Sequence, residues 1–274
     1  MHPNIHALRW ETQLLVAPSG LLNLARRGFP ASGVKRFLDR LRGPWYRRVY
    51  NSSQPNEYEA GLAYDVTEEE REAAIDLLLE DIAGGGAVCP DAVVRRFAER
   101  LFAPSVRRHR ASRWCEKTPR NALFMDALWA AFPDMKFVHI VRDGRDVAAS
   151  MVARGFWPIA AGQEHAELSE FRGPLTYEKA AAYWVAVVTL TRRIASGLPD
   201  ASYVEVRFED LISDPRSFLA ELCSFLGEEL SPSLFELRLA RHHIGRWREE
   251  LPRASRVRVE AMAGETLSRL GYAC

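Results

Sequence analysis

Arg142 and Ser150 are the residues whose types and spacing point most directly to chemistry. A guanidinium is a permanently charged planar fork of N–H donors suited to a phosphate, and a hydroxyl can add a further donor to the same anion. The stretch that carries them, Phe137 to Ser150, reads FVHIVRDGRDVAAS. Phe137, Val138, Ile140 and Val141 form the short apolar run expected of a central parallel strand, and Arg142 follows at its carboxyl end. Asp143 then opens a helix as its N-cap, with Asp146 three residues on and Gly144 permitting a tight turn; both acids suit the positive helix end. Open α/β sheets bind ligands at that edge, so the pair can hold one phosphate group. The alternative is a buried strand, a solvent-facing Arg and a helix Ser bonded to its own backbone.

The elements that must position these groups are legible from periodicity. Val34, Phe37, Leu38 and Leu41 recur at helical spacing until Gly43 and Pro44, and Trp45 and Tyr46 read as packing aromatics. Thr67 and Glu70 form a capping box for a helix to Ala83, with an apolar face of Ala74, Ile75, Leu78, Leu79 and Ile82. Asp91 to Phe102 repeats the amphipathic pattern, Pro119 starts a helix predicted to reach Ala130, and Thr176 to Ser196 is a long helix. YVEVRF, Tyr203 to Phe208, reads as a strand. Asp214, Pro215 and Gly227 cap, start and end the helix after it, and Arg256 to Leu270 closes the chain as a helix.

Composition narrows the function classes. A chain of 274 residues can bury a substantial core, most economically as a single domain over 1–274, with 14–110 a mainly helical lobe inserted in it. The balance of 37 basic against 36 acidic residues argues against nucleic acid or an anionic membrane as partner. No apolar run approaches the roughly eighteen residues of a membrane span, and the start HPNIHALRWETQ lacks the regions of a signal peptide, so a soluble, cytoplasmic chain is expected. Cys89, Cys115, Cys223 and Cys274 stand far apart, which suggests neither a disulfide framework nor a zinc site. His139, inside the strand, reads as a hydrogen-bonded core residue, and adjacent His242 and His243 as solvated.

VRDGRDVAASMV resembles the segment of sulfotransferases that grips the 3′-phosphate of PAPS (3′-phosphoadenosine 5′-phosphosulfate), most closely in the bacterial and tyrosylprotein branches. By that resemblance Arg142 and Ser150 are the 3′-phosphate ligands. Three further segments resemble the family in its order. EKTP makes Lys117 the group that reaches the sulfuryl oxygens; RFEDL places Phe208 against the adenine; and IGRW makes Arg246 and Trp247 contacts on the 3′-phosphate side. Near the start, HP followed by Glu11-Thr12 makes Glu11 the general base for an acceptor hydroxyl, with Trp10 beside it to exclude water.

The resemblance implies a three-layer α/β fold of the P-loop NTPase-like type with a largely parallel sheet, PAPS as donor, 3′,5′-ADP as product and no metal. The acceptor would be a small molecule, carbohydrate or peptide; neither it nor the oligomeric state has a signature here. In the family a strand and a PRSGTT-like loop that cradles the 5′-phosphosulfate come before HP, so that strand and loop are expected to be missing from this sequence. Gly28 to Gly33, GFPASG, mimics that loop but lacks its basic residue and its preceding strand, and reads as a turn between helices. A second reading is therefore kept: a non-catalytic remnant or scaffold domain with weak or no nucleotide binding. A P-loop kinase is disfavoured, because GxxxxGK[ST] is absent.

Overall fold

In the computed structural model, which describes residues 2–9, 11–43, 45–46, 61–84, 88–155, 165, 168–171, 173–236 and 244–273, the strands pair in parallel, two by two. The expected parallel pairing is present, but among the described residues it is divided between two two-stranded sheets. The chain falls into two compact units, Met1–Met135 and Lys136–Cys274, with one pair in each. Trp10, Pro44, His242, His243 and Cys274 lie outside the described residues.

The first unit runs β1 (Ile5–Ala7), α1 (Leu21–Ala25), α2 (Ala31–Arg42), α3 (Glu68–Ala83), α4 (Pro90–Arg108), β2 (Arg113–Cys115) and α5 (Met125–Ala131). β1 pairs with β2, Ile5 opposite Arg113 and Ala7 opposite Cys115, so among the described residues α1 to α4 are inserted between two hydrogen-bonded strands. Parallel neighbours need such a crossover because their ends lie far apart. α4 is the hub: Val94, Phe97, Leu101 and Phe102 are buried along it, and it touches α1, α3, α5 and both strands. The Phe97 ring meets Phe37 of α2 edge-on at 5.7 Å, and Phe102 meets Trp114 of β2 at 5.0 Å. β1 is pinned by its inward residue, His6, whose Nε2 lies 3.0 Å from both Asp65 Oδ1 and Ser105 Oγ, with the ring stacked on His109. Burial pushes that imidazole below its ordinary range despite the Asp65 partner.

The capping box holds α3 as expected, Thr67 accepting from the Glu70 N–H and Glu70 from the Thr67 N–H. Leu79, placed on its apolar face from sequence, is exposed instead, while Ala74, Ile75 and Leu78 meet the core. Of GFPASG, Gly28 to Pro30 turn between α1 and α2, with Gly28 and Phe29 both at positive φ, while Ala31 to Gly33 form the first turn of α2. The single helix expected from Pro119 to Ala130 is broken into a 3₁₀ turn, Pro119–Leu123, and α5. Leu123, Phe124 and Met125 are all buried. Consecutive helical residues point about 100° apart, so one straight helix could not bury all three on one face; the break at Phe124 does.

The second unit runs β3 (Phe137–Val141), α6 (Gly144–Ala153), α7 (Tyr177–Ala195), β4 (Tyr203–Arg207), α8 (Phe208–Ser213), α9 (Pro215–Leu226), α10 (Trp247–Glu250) and α11 (Arg253–Arg269). β3 pairs with β4, Phe137 opposite Tyr203 and Val141 opposite Arg207. α6 packs on α7 and both pack on α11, burying Ala148, Ala149, Ala180, Ala181, Trp184, Val188, Val259 and Ala263 around Val141. Apolar on both faces in sequence, β3 is buried on one only: Phe137 and Val141 are covered, whereas Ile140 is 54% exposed. Side chains alternate along a strand, and among the described residues the helices cover the Phe137 and Val141 side.

Gly144 is needed for a different reason from the expected tight turn. A Cβ there would lie 2.4 Å from Cε3 of Trp184, so the start of α6 rests directly on the indole ring of α7. On the same side of β3, His139 Nδ1 is 2.8 Å from the Tyr203 hydroxyl, and Glu205 receives Arg192 through both oxygens at 2.6 and 2.9 Å. Burial would raise the Glu205 carboxyl, but hydrogen bonds from His139 and Arg192 and the Arg192 charge outweigh it and hold it at about 2.

Two expectations follow. Gly144→Ala forces overpacking against Trp184 and should cost about 1–3 kcal/mol in urea denaturation. Because the folded pKa of Glu205 lies below its ordinary value, its stabilisation is present above about pH 4.5 and is lost as pH falls towards 2. Glu205→Gln should therefore flatten the loss of stability across that window, as followed by denaturation at successive pH values.

Candidate functional site

The carboxyl end of β3 passes straight into the first turn of α6, and that junction carries Arg142. Asp143 caps α6 as expected, its Oδ1 accepting the Arg145 N–H at 2.9 Å. The junction is then bound from three directions. The Asp143 N–H donates to Glu209 Oε1 of α8 at 3.0 Å, and Glu209 Oε2 accepts the Tyr272 hydroxyl at 2.8 Å. Burial and the Glu209 carboxylate push the Tyr272 hydroxyl far above its ordinary range, which keeps it a proton donor. Arg145, itself buried, bridges Asp143 at 2.8 Å and the carbonyl of Ala273 at 2.8 Å, tying the last residues of the chain to α6.

Asp146 is the most enclosed of these acids: its side chain has 0% exposure. Oδ2 accepts the Gly245 N–H at 2.8 Å and Oδ1 the Trp247 N–H at 2.9 Å, both from a loop about a hundred residues further on. The Arg142 guanidinium lies 3.4 Å from Oδ2 of the same carboxylate. Arg142 also lies 5.6 Å from the centre of the Phe208 ring, a cation–π separation. Asp146 and Ser150 stand four apart on α6, the spacing that places helical residues on one face, and Arg142 immediately precedes the Asp143 cap. Ser150 is half-buried and, among the described residues, its hydroxyl makes no hydrogen bond.

Five sequence-derived residues of this unit can thus be placed. Arg142 and Phe208 are in contact, and Arg142 reaches the Gly245–Trp247 backbone through Asp146. Ser150 lies one turn beyond Asp146 on α6. The Trp247 side chain is turned inward, buried between the guanidinium groups of Arg145 at 4.2 Å and Arg248 at 4.5 Å. Arg246 is half-exposed and paired with Glu250.

In the first unit, Lys117 Nζ donates to Glu11 Oε1 at 2.8 Å, so the two sequence-derived catalytic residues meet across 106 positions of chain. Their segments are held by a neighbour. Glu116 Oε1 accepts the Thr12 N–H at 3.1 Å and the Thr12 hydroxyl at 3.0 Å, together with the Thr118 hydroxyl; Oε2 accepts the Asn121 amide. Arg120 adds a hydrogen bond to the Val16 carbonyl at 2.8 Å. Neither Glu116 nor the links made by Asp146, Arg145 and Tyr272 stood out from sequence. The one visible signal was redundancy: with Asp143 already the cap, the second acid of D-x-x-D was free for another partner.

A sequence model of the sulfotransferase family matches residues 41–232, well over half the chain, and the chain belongs to that family. The matched span includes Lys117, Arg142, Ser150 and Phe208; Glu11, Arg246 and Trp247 lie outside it. Among solved structures, the chain is similar to the sulfotransferase domain from the curacin biosynthetic pathway, at 16% identity over 98% of this chain and 97% of that one, with a TM-score of 0.46. It is also similar to the sulfotransferase domain of the Synechococcus PCC 7002 olefin synthase, at 16% identity over 98% and 94%, with a TM-score of 0.43. The sulfotransferase STF1 from Mycobacterium tuberculosis H37Rv matches at 19% identity over 85% and 68%, with a TM-score of 0.41. No curated protein matches the sequence. Among the described residues no helix is long and apolar enough to cross a membrane, and no cluster of His, Cys, Asp and Glu could hold a metal ion.

Glu116→Ala should leave the Thr12 and Thr118 groups without their shared acceptor. Hydrogen bonds to a charged group are worth roughly 1.5–3 kcal/mol each, so a loss of about 2 kcal/mol or more is expected by urea denaturation, with Glu116→Gln recovering part of it.

Proposed function

We propose that this protein transfers a sulfuryl group from PAPS to an acceptor hydroxyl or amine. The observation that supports it best is the gathering of Arg142 and the Gly245–Trp247 backbone around one buried carboxylate, with the Phe208 ring against Arg142, at the carboxyl end of a parallel strand. The residues fit the nucleotide end of the donor. Arg142 would hold the 3′-phosphate with its N–H fork and Ser150 would add a hydroxyl, while Phe208 supplies a ring for the adenine. Arg246 and the backbone at Trp247 lie on the 3′-phosphate side. When bound, PAPS supplies a sulfuryl group activated by its anhydride link to phosphate.

Glu11 takes the proton of the acceptor hydroxyl on its carboxylate, and Lys117 places its ammonium against the charge that develops on the transferring oxygens. In the present arrangement they neutralise each other, so turnover requires the pair to part. That separation is cheap, because an ion pair with Lys117 71% exposed is worth only about 0.2–1 kcal/mol. No step in this scheme assigns a role to a metal. The helical segment between β1 and β2 is assigned to the acceptor side, and the acceptor to the small-molecule, carbohydrate or peptide class. The free thiols of Cys89, Cys115 and Cys223 suit a reducing cytoplasmic setting.

Calorimetric titration with 3′,5′-ADP tests the nucleotide site: the wild type should bind and Arg142→Ala should abolish binding. A wild type that binds nothing overturns the reading in favour of a non-catalytic remnant. With labelled PAPS and an accepted substrate, Glu11→Gln and Lys117→Ala should each lower kcat by about a hundredfold or more while nucleotide affinity changes little. Unchanged turnover in either variant removes that residue from the mechanism.

A further inference from the structure

Asp146 carries more interactions than a helix needs from an acid in its first turn. The capping role belongs to Asp143, which accepts the Arg145 N–H, and the Asp146 oxygens turn instead to Gly245, Trp247 and Arg142. A carboxylate with no solvent exposure is costly unless its lone pairs are matched, and two backbone N–H groups and a guanidinium match them here. The loop is shaped for this contact. Gly245 sits at φ +75°, where a side chain is strained, and Trp247 anchors the far end by burying its ring. The carboxylate therefore sets both where the loop lies and where the Arg142 guanidinium points.

We propose that Asp146 is the positioning residue of the phosphate site: it fixes Arg142 and the Gly245–Trp247 loop in one arrangement, and so governs affinity for a nucleotide 3′-phosphate without touching it. The proposal rests on the reading of Arg142 as the phosphate ligand. Asp146→Asn keeps the shape of the side chain but replaces one acceptor oxygen with an N–H donor, which must face either a backbone N–H or the guanidinium.

The test is calorimetry on the full chain with two probes, 3′,5′-ADP and 5′-AMP, which lacks the 3′-phosphate. Asp146→Asn should weaken 3′,5′-ADP by about tenfold or more and leave 5′-AMP nearly unchanged; in an Arg142→Ala background it should add little, since contacting residues are not additive. In the ligand-free protein, tryptic cleavage after Arg246 should rise relative to cleavage elsewhere. If Arg142→Ala weakens 3′,5′-ADP but Asp146→Asn does not, the positioning role is overturned while the site reading stands. Equal weakening of both nucleotides also overturns it, reducing Asp146 to a structural acid. If Arg142→Ala binds like the wild type, or the wild type binds neither nucleotide, the site reading itself falls and this role with it. Should Asp146→Asn fail to fold, Gly245→Ala displaces the same loop from outside, because Gly245 sits at φ +75°, where a Cβ strains the backbone. It should show the same selective loss of 3′,5′-ADP, and equal affinity for both proteins overturns the proposal.

Discussion

A carboxylate removed from water must find donors for its lone pairs, and in the second unit that requirement organises the whole neighbourhood of Arg142. Asp146 is fully enclosed, so the groups that satisfy it are held close: the N–H groups of Gly245 and Trp247, and the guanidinium of Arg142. Attraction in such a setting is stronger than at a surface, and the penalty for leaving the charge unmatched is larger still. The geometry of the proposed phosphate site thus rests on one buried acid together with the contact between Arg142 and Phe208.

The same device recurs in the first unit. Glu116 gathers the backbone and hydroxyl of Thr12, the hydroxyl of Thr118 and the amide of Asn121, and thereby draws Glu11 and Lys117 within 2.8 Å of each other. In each unit an acid holds the segments that carry the residues assigned to binding or catalysis, Asp146 fully enclosed and Glu116 half-buried. This division suits a reaction carried by positioning and charge, where small displacements are expensive.

The end of the chain belongs to this support. Tyr272 and the Ala273 carbonyl close on Glu209 and Arg145, and α11 buries Val259, Ala263 and Leu267 against α6 and α7. The β3–α6 junction is therefore gripped from α8, from the Gly245 loop and from the last residues together. Gly144 resting on Trp184 lets the start of α6 approach closely enough for these contacts to form.

The strand–Arg–helix unit at 137–150, the capping box at Thr67 and the Asp214–Pro215–Gly227 frame were readable along the chain. Each is either a local geometric rule or a short run of residues shared with a family. The sequence also placed Arg142 just past the strand and Ser150 on the helix that follows, because both depend on local pattern alone. What it could not disclose was which side of β3 is covered, why the segment after Pro119 breaks at Phe124, or what Glu116 and Asp146 do. Glu116 and Asp146 act on groups about a hundred positions away, and a backbone donor has no residue type by which a sequence could mark it. Local rules settled the pieces; only folding, by bringing distant donors to buried acids, decided how the pieces meet.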